Sequence, residues 1–347
     1  MPLGEFALID RYFRALGVVR DDVLLGVGDD GAVLRPPPGF DLVAVSDTLV
    51  EGVHFPCGAA ARSVGHRALA VNLSDIAAMG AVPAWSLLAL TLPDVDEAWL
   101  KEFAAGFGAL ARAHGLALVG GDTTRGPRMM GVQVLGFLPQ GSGLRRSGGQ
   151  PGDLLCVSGT PGDAAAGLAL LQRSISPPAA ARVTPELDAA AQQLRQRFEF
   201  PQPRLALGEA LRPLASACID VSDGLLGDLG KLAAASGCCA RVDLERLPRS
   251  AALSALVEAR WLTEDAALRC VLAGGDDYEL AFALPAARRD WLAAPAVRER
   301  ITVIGELAPA ADREIAGVPP VQLQRAGSPL PPAECAAFAA GFDHFAA

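Results

Sequence analysis

Short apolar runs that stop at glycine or aspartate recur along the chain, separated by segments with apolar residues at helical spacing. The runs predict buried strands, and the segments between them predict amphipathic helices. Strands are predicted at 42–45, 84–92, 116–119, 130–138, 154–158, 217–221, 280–284 and, as the last strand, 303–305, with a strand–turn–strand hairpin at 24–33. Helices are predicted at 5–16, 62–73, 97–114, 185–198 and 205–214, and two more begin after 162 and 224. This alternation favours α/β architecture.

The run Leu116–Val119 is followed directly by Gly120, Gly121 and Asp122. Glycines let the backbone turn sharply and let a bulky group come close. The aspartate would then lie at the carboxyl end of a strand, where α/β sheets bind ligands. We therefore expect Asp122 to be one of several carboxylates around metal-bound phosphate.

Other aspartates also stand at a predicted strand end or beside a glycine: Asp29, Asp30, Asp47, Asp75, Asp220, Asp223 and Asp276. Each has a structural explanation of its own, because Asp favours turns and helix caps. Asp29 and Asp30 are typical of a solvated hairpin turn. Ser74 or Asp75 could cap a second helix, and a ligand role for Asp75 explains the sequence equally well.

Gathered at one place, these carboxylates would repel one another unless cations lay between them. Oxygen ligands without Cys or His spacing favour Mg²⁺, which binds through few carboxylates together with substrate phosphates. The aspartates therefore predict a nucleoside triphosphate held with several Mg²⁺ ions.

A weak internal repeat accompanies the aspartates. Ser74-Asp75 precedes Gly121-Asp122 by about the same interval as Ser222-Asp223 precedes Gly275-Asp276. An apolar run also comes before each Gly-Gly-Asp. Two similar α/β halves would explain this pattern.

The glycine-rich segment 140–152 is the best candidate for a linker, because such residues build few packed contacts. It predicts an N-terminal domain at 1–139 and a C-terminal domain at 153–347. Arg146 in this segment either is solvated or binds a phosphate group with both guanidinium nitrogens. Arg125 is explained equally well by a structural ion pair and by a phosphate contact. The helix that begins at Gly162-Asp163 has free N–H groups that suit an anion.

Composition narrows the class of protein. Hydrophobic residues make up 51% and the net charge is −9, which argues against nucleic acid and membrane surfaces as partners. Neither of the two lysines lies in a P-loop. The first residues lack the basic and apolar regions expected of a signal peptide, and no uncharged apolar run reaches membrane-spanning length. The seven cysteines include no Cys-x-x-Cys and predict reduced, buried thiols in a cytoplasmic protein.

The chain resembles the thiamine-monophosphate kinase family in motifs that follow in order over nearly its whole length. The matching segments are Gly28–Val33, Ser46–Phe55, Asn72–Gly80, Gly120–Gly126, Thr160–Asp163, Asp220–Gly224 and Gly341–Phe345. The resemblance implies ATP-dependent phosphorylation of thiamine monophosphate to thiamine diphosphate. It also implies the aminoimidazole ribonucleotide synthetase-like fold, with an α/β N-terminal domain, an α+β C-terminal domain, and a homodimer joined through the N-terminal sheets.

The resemblance further assigns residues. The metal ligands would be Asp30, Asp47, Asp75, Asp122, Asp220 and Asp223, with Val45 and Ser46 beside the metals. ATP would be held by Gly121, Asp122, Arg146 and Ser222. Thiamine phosphate would contact His54, Asp276 and Phe342, with Phe338 as a rival to Phe342. Asp276 stands where many relatives have Glu, so its shorter side chain must reach further or use water. His54 has a second interpretation, because a lone histidine is more often a structural hydrogen-bonding residue.

The expected reaction is direct in-line transfer, in which a substrate phosphate oxygen attacks the γ-phosphoryl group and no strong general base is needed. A covalent phosphoenzyme is the alternative route. One alternative is another enzyme of the same fold, such as selenophosphate synthetase or a ligase of purine synthesis. Selenophosphate synthetase would carry a reactive Cys and Lys near the amino terminus, whereas the first ones here are Cys57 and Lys101. A non-catalytic regulator that binds nucleotide or thiamine phosphate is the alternative of another class, and it would not need the whole acidic set.

Overall fold

The computed structural model describes residues 4–178, 183–294, 301–310 and 320–331, together with 334, 335 and 338. The chain divides into two compact units, Met1–Gly143 and Leu144–Ala347. The division falls within the glycine-rich segment 140–152.

The first unit is built on a four-stranded sheet. Its described elements are α1 (Glu5–Tyr12), β1 (Val23–Leu25), β2 (Val33–Leu34), β3 (Phe40–Val50), α2 (Ala61–Ala78), β4 (Val82–Leu92), α3 (Glu97–Ala113), β5 (Ala117–Arg125) and β6 (Met129–Pro139). The strand order is β3-β6-β4-β5, and only β4 and β5 run parallel. β1 and β2 form a separate hairpin, as the sequence predicts for 24–33.

Helix α2 covers one face of this sheet, against β3 and β6, and packs closely on α3. Glycines set the distance between the two helices. A Cβ atom at Gly65 would lie 2.1 Å from the carbonyl oxygen of Phe103, and one at Gly106 would lie 2.0 Å from that of Arg62. The close approach buries large apolar side chains, each of which stabilises the fold by about 1.5–3 kcal/mol.

The second unit is built on a seven-stranded sheet with strand order β13-β12-β9-β11-β7-β10-β8. Its described strands are β7 (Leu154–Ser158), β8 (Ala217–Val221), β9 (Cys238–Asp243), β10 (Glu279–Leu284), β11 (Ile301–Pro309), β12 (Val321–Arg325) and β13 (Ser328–Pro329). Its described helices are α4 (Asp163–Leu171), α5 (Pro185–Glu199), α6 (Leu205–Leu211), α7 (Leu225–Ser236), α8 (Ala251–Glu258) and α9 (Glu264–Ala273), with 3₁₀ turns at Leu244–Arg246 and Ala286–Ala293.

Two apolar cores stabilise the second unit. One joins the sheet to residues of α7 and α9, and the other contains residues of α4, α5, α8 and α9. Phe338 is 9% exposed and belongs to the first core. This packing explains Phe338 without a ligand, whereas Phe342 lies outside the described residues.

Among the predicted element boundaries that are wrong, three concern candidate site residues. Helix α2 continues to Ala78, so Asp75 lies inside it and no second helix is capped. Strand β3 continues to Val50 because it pairs with β6 over its whole length, which places Asp47 inside the strand. Strand β5 likewise pairs with β4 beyond Asp122. Partner strands and buried surface thus carry these elements through polar positions where the local pattern predicts an end.

The internal repeat is wrong as a structural hypothesis. The apolar residues before Gly275 end helix α9, whereas those before Gly121 lie in strand β5. Asp75 lies in a helix, while Asp223 follows a strand. The predicted last strand is β11, and two short strands follow it.

All seven cysteines lie in the part of the chain that the structure describes, and none of them is in a disulfide. The expectation of buried thiols holds for Cys156, Cys218 and Cys238, whereas Cys57 is exposed and the other three are half-buried. Burial raises the pKa of Cys156 to about 12 and that of Cys270 to about 11, so these two thiols stay protonated at neutral pH. None of the described helices has both the length and the apolar character needed to cross a membrane.

Candidate functional site

A cavity of about 1230 Å³ lies in the first unit, next to the sheet. The connection between β1 and β2 lines it with Asp29 and Asp30, and β5 lines it with Gly121 and Asp122. All three carboxylates are exposed. The structure therefore brings Asp30 and Asp122, which are distant in sequence, to one cavity.

Gly121 allows the strand that carries Asp122 to lie against its neighbour. Its φ is +152°, and a Cβ atom there would lie 1.9 Å from the carbonyl oxygen of Leu88 on β4. The sequence predicts that a bulky group comes close to this glycine, and in the structure the backbone of β4 does so. One residue further along, Asp122 Oδ1 accepts a hydrogen bond of 2.9 Å from the Thr123 N–H, which orients the carboxylate.

The Asp29-Asp30 turn is held by its own backbone and by an arginine of the segment after α1. The Asp30 N–H donates to Asp29 Oδ1 at 2.8 Å. Arg14 Nη1 donates to the carbonyl oxygen of Val27 at 3.0 Å, and its guanidinium packs over Gly28 where a Cβ would clash. Arg14 also forms an ion pair with Asp10. The turn thus presents two exposed carboxylates beside an arginine that is already engaged.

Side chains of β3 alternate between the two faces of the sheet. Ser46 is exposed and its hydroxyl lies 3.4 Å from Gln133 Nε2, so it is on the face that α2 leaves open. The registers of the four strands place Asp122 on that same face. Val45 and Asp47, both half-buried, are on the opposite face, which α2 covers, and Asp75 lies on α2 itself.

Among the described residues, no group of three or more His, Cys, Asp or Glu side chains is arranged to hold a metal ion. A group of that kind would hold an ion mainly through protein side chains. Mg²⁺ commonly binds through one or two carboxylates and completes its shell with water and substrate phosphates. The exposed oxygen donors of Asp30 and Asp122 fit this second mode.

His54 lies in a tight loop that follows β3. Its Nδ1 accepts a hydrogen bond of 2.9 Å from the Val50 N–H, and Arg67 donates to its carbonyl oxygen at 3.4 Å. Beside it, Glu51 pairs with Arg128 at 2.7 Å, and Arg128 stacks over the ring of Trp99. The histidine therefore has a structural hydrogen bond at Nδ1, which fixes the orientation of its ring.

In the second unit, strand β8 ends at Val221 and delivers three candidate residues to one loop. Asp220 is buried within the strand, and Ser222 and Asp223 are half-buried after it. The N–H groups of Ser222 and Asp223 both donate to Asp228 Oδ2, at 2.9 and 3.0 Å. The first turn of α7 thus fixes the loop.

Lys231 forms ion pairs with both Asp223 and Asp228. Its Nζ lies 2.5 Å from Asp223 Oδ2 and 2.8 Å from Asp228 Oδ1. Burial raises the pKa of Asp228, and the hydrogen bond from Lys231 opposes that shift. The ammonium group therefore supplies the positive charge next to Asp223 in this structure. Sequence reasoning missed Asp228 and Lys231, although their helical spacing from each other was available as a signal.

The loop between α9 and β10 has unusual backbone geometry. Asp276 and Tyr278 have φ values of 68° and 52°, which non-glycine residues rarely adopt. Such residues cost about 1–3 kcal/mol each and occur often at functional sites. The Asp276 N–H donates to the carbonyl oxygen of Ser222 and the Tyr278 N–H to that of Val221, both at 2.8 Å. The structure thus brings Asp276 to Ser222.

A buried ionic network lies beneath this loop. Glu279 is fully buried and binds Arg197 at 2.8 Å and Arg204 at 2.5 and 2.7 Å. The hydroxyl of Ser158 donates to Glu279 at 2.5 Å. Burial acts to raise the pKa of Glu279, but the two arginines outweigh it and the pKa is lowered. None of these residues was predicted from the sequence.

The amino terminus of α4 binds an anion, but that anion belongs to the protein. Asp277 is fully buried, and its carboxylate accepts hydrogen bonds from the N–H groups of Gly162 at 2.8 Å and Ala164 at 3.3 Å. The N–H groups that the sequence offers to an outside anion are therefore taken. Burial raises the pKa of Asp277 well above its ordinary range, against the hydrogen bond from Gly162.

Arg125 and Arg146, for which the sequence allows either a structural role or a phosphate contact, are both exposed. Arg125 donates from Nε to the carbonyl oxygen of Pro93 at 3.3 Å, a contact within the first unit. Arg146 is held only through its backbone in the described contacts, since its carbonyl oxygen accepts from Ser236 at 3.1 Å. Its guanidinium is exposed to solvent.

Family comparisons agree with this two-unit structure. Residues 28–138 match the model "AIR synthase related protein, N-terminal domain", and residues 150–316 match "AIR synthase related protein, C-terminal domain". A thiamine-monophosphate kinase of Salmonella typhimurium is 49% identical over 289 residues, which cover 83% of this chain and 85% of the relative. The chain belongs to the thiamine-monophosphate kinase family.

Solved structures of the family have the same fold. A thiamine-monophosphate kinase from Stenotrophomonas maltophilia is 46% identical with a TM-score of 0.80, covering 94% of this chain and 98% of that one. A structure described as AaThiL complexed with AMPPCP and TMP is 29% identical with a TM-score of 0.73, covering 99% of each chain. The expected two-domain aminoimidazole ribonucleotide synthetase-like fold is thereby confirmed.

Proposed function

We propose that this chain is a kinase that transfers the γ-phosphoryl group of ATP to thiamine monophosphate and forms thiamine diphosphate. The observation that carries the proposal is the match with thiamine-monophosphate kinases over most of both chains. AMPPCP is an analogue of ATP, and it is bound together with TMP in a relative that this chain matches over nearly its whole length.

The cavity in the first unit supports the placement of the nucleotide phosphates. Gly121 and Asp122 line it, and we assign them to ATP together with Arg146 and Ser222. The exposed guanidinium of Arg146 suits a phosphate, since planar guanidinium groups bind phosphate oxygens in pairs. The thiamine phosphate contacts we assign to His54, Asp276 and Phe342.

Several Mg²⁺ ions belong to this proposal. We assign them to Asp30, Asp47, Asp75, Asp122, Asp220 and Asp223, with Val45 and Ser46 beside them. Bound Mg²⁺ would neutralise the charge on the phosphates of both substrates. The exposure of Asp30 and Asp122 at one cavity, with oxygen as the donor atom, supports this assignment in the first unit.

The protein's own part in the reaction is to bind and orient. A phosphate monoester is largely ionised at neutral pH, because its second pKa is about 6. Its oxygen can therefore attack the γ-phosphoryl group in line, without a strong general base. Accordingly we assign no residue as an acid–base catalyst, and we propose direct transfer rather than a phosphoenzyme.

We also propose the division of labour between the domains. Residues 1–139 would bind ATP and Mg²⁺ and form a homodimer through the sheet, residues 140–152 would link the domains, and residues 153–347 would form the C-terminal α+β domain. The exposed apolar side chains on β3 support the dimer. Because thiamine diphosphate is an intracellular cofactor and the net charge disfavours anionic surfaces, we place the enzyme in the cytoplasm, without nucleic acid or membrane partners.

The decisive experiment is an assay of thiamine diphosphate formation from ATP, Mg²⁺ and thiamine monophosphate, with the Asp122→Asn variant beside the wild type. We expect turnover to fall at least about a hundredfold, because one anionic donor at the phosphates is lost. Asp122 is exposed, so the melting temperature should not change.

Asp94→Asn serves as the control, since Asp94 is an exposed aspartate of the same unit. Near-normal turnover of Asp122→Asn would contradict its metal role. Binding of thiamine monophosphate without any turnover in the wild type would favour the non-catalytic regulator, and labelled protein trapped from ATP alone would favour the phosphoenzyme.

A further inference from the structure

The segment Gly274–Tyr278 has an irregular backbone that the loop sequence alone does not favour. Asp276 and Tyr278 both have positive φ, and Asp277 lies between them with its side chain completely buried. Because left-handed conformations are unfavourable for side chains of this kind, contacts outside the loop must hold it in place.

Two of those contacts are backbone hydrogen bonds. The N–H groups of Asp276 and Tyr278 bind the carbonyl oxygens of Ser222 and Val221. They attach the loop to the end of β8, on the side where Ser222 and Asp223 follow. Nothing in these two bonds, however, depends on the identity of the side chain at 277.

The third contact depends on that side chain. One carboxylate oxygen of Asp277 accepts the N–H of Gly162 and the other accepts that of Ala164, at the start of α4. These N–H groups have no partner within the helix, and the positive end of the helix dipole favours an acid there. Arg197, which also pairs with Glu279, donates weakly to the carbonyl oxygen of Asp277 at 3.5 Å. The loop is thus fixed to α4 through one buried side chain.

The geometry points to Asp277 as the positioning residue that holds Asp276 in place for the phosphorylated substrate. This inference rests on the proposed function, since Asp276 is assigned to the thiamine phosphate there. Asp277 touches neither substrate in this account. It acts through the backbone, by fixing the left-handed conformations on both sides of it.

The variant Asp277→Asn tests this role with little change of volume. An amide has only one oxygen, so it can accept one of the two N–H groups and its own NH₂ opposes the other. We expect kcat/KM for thiamine monophosphate to fall about ten- to a hundredfold, because small displacements of a positioning group cost that much. The KM for ATP should stay within about twofold.

Hydrogen–deuterium exchange gives a readout that does not depend on activity. In Asp277→Asn, the amides of Asp276, Tyr278, Gly162 and Ala164 should exchange faster, while those of β10 should not change. Asp290→Asn, at an exposed aspartate of the same unit, is the control and should resemble the wild type in both measurements.

Wild-type kinetics in Asp277→Asn, or equal losses for both substrates with unchanged exchange in the loop, would overturn the positioning role. If Asp277→Asn does not fold, Asp277→Ser, which keeps one acceptor oxygen on a shorter side chain, must show the same loss for thiamine monophosphate and the same faster exchange, or the role is refuted. A wild type that makes no thiamine diphosphate contradicts the proposed function instead. In that case unchanged exchange at Asp276 and Tyr278 still refutes the positioning role, and faster exchange supports it.

Discussion

Glu279 shows at the scale of one residue how a buried charge is maintained. Its carboxylate is in contact with two guanidinium groups and a hydroxyl, and none of its surface is exposed. Gly159 allows this arrangement, because a Cβ atom there would lie 2.1 Å from Glu279 Oε1. Removing the charge of one member of such a buried network leaves the opposite charges of its partners uncompensated.

Glu279→Gln should therefore lower the free energy of unfolding by about 3–5 kcal/mol in urea titrations at pH 7. Glu264→Gln is the matched control. Glu264 also pairs with an arginine, Arg249, but its side chain is 69% exposed, so the loss should stay below about 1 kcal/mol. Equal losses in the two variants would contradict the role of burial.

The same residue predicts how stability depends on pH. Because the arginines lower the pKa of Glu279 below its ordinary value of 4.5, the folded state releases this proton more readily than the unfolded state. Its contribution is fully present above pH 4.5 and is lost as the pH falls through the lower folded pKa. The difference in stability between wild type and Glu279→Gln should shrink over that acidic range. If the stability difference stays constant over the acidic range, the charge of Glu279 is not what causes that difference.

At the scale of an element, one glycine allows strand β5 to pair closely with β4. The register places Gly121 opposite Leu88, at a distance that leaves no space for a side chain. The neighbouring Gly120 differs, because a Cβ atom there would meet only the Cδ2 methyl group of Leu87, at 3.0 Å. Two adjacent glycines thus have different structural roles.

Gly121→Ala should consequently destabilise the chain by more than about 4 kcal/mol or prevent folding, since backbone would have to move. Gly120→Ala should change the free energy of unfolding by less than about 1 kcal/mol, because a methyl group can rotate away. Urea denaturation of both variants provides the measurement. A stable Gly121→Ala protein would show that β5 can separate from β4 at this point.

At the scale of the whole molecule, the first unit exposes apolar side chains on the edge strand of its sheet. Phe40 and Leu42 on β3 are 46% and 48% exposed and lie on the face that α2 leaves open. Apolar patches of this kind often mark contacts between protein chains. In a two-fold dimer each side chain would occur twice at the interface.

We expect the wild type to sediment as the proposed dimer and the double variant Phe40→Asp/Leu42→Asp to sediment as a monomer at the same concentration. Val95→Asp is the control, since Val95 is 40% exposed but lies in the connection between β4 and α3, outside the strands of the sheet. Analytical ultracentrifugation distinguishes the two forms. A double variant that remains dimeric would contradict the proposed interface.

The sequence by itself determined the family, the alternation of strands and helices, and the Asp29-Asp30 hairpin. These features depend on local backbone preferences and on short motifs, and both are determined by residues that are close together in the sequence. It also marked Asp30 and Asp122 as candidates for one site, and the structure brings both to one cavity. Their roles toward metal and phosphate remain predictions.

Only the tertiary structure decided where strands β3 and β5 end, because pairing with β6 and β4 extends them through polar residues. It likewise decided which anion occupies the start of α4. Asp277 is more than a hundred residues from Gly162 in sequence, and no local pattern distinguishes a buried internal carboxylate from a bound phosphate. Long-range contacts of this kind follow from packing, and packing is a property of the folded chain as a whole.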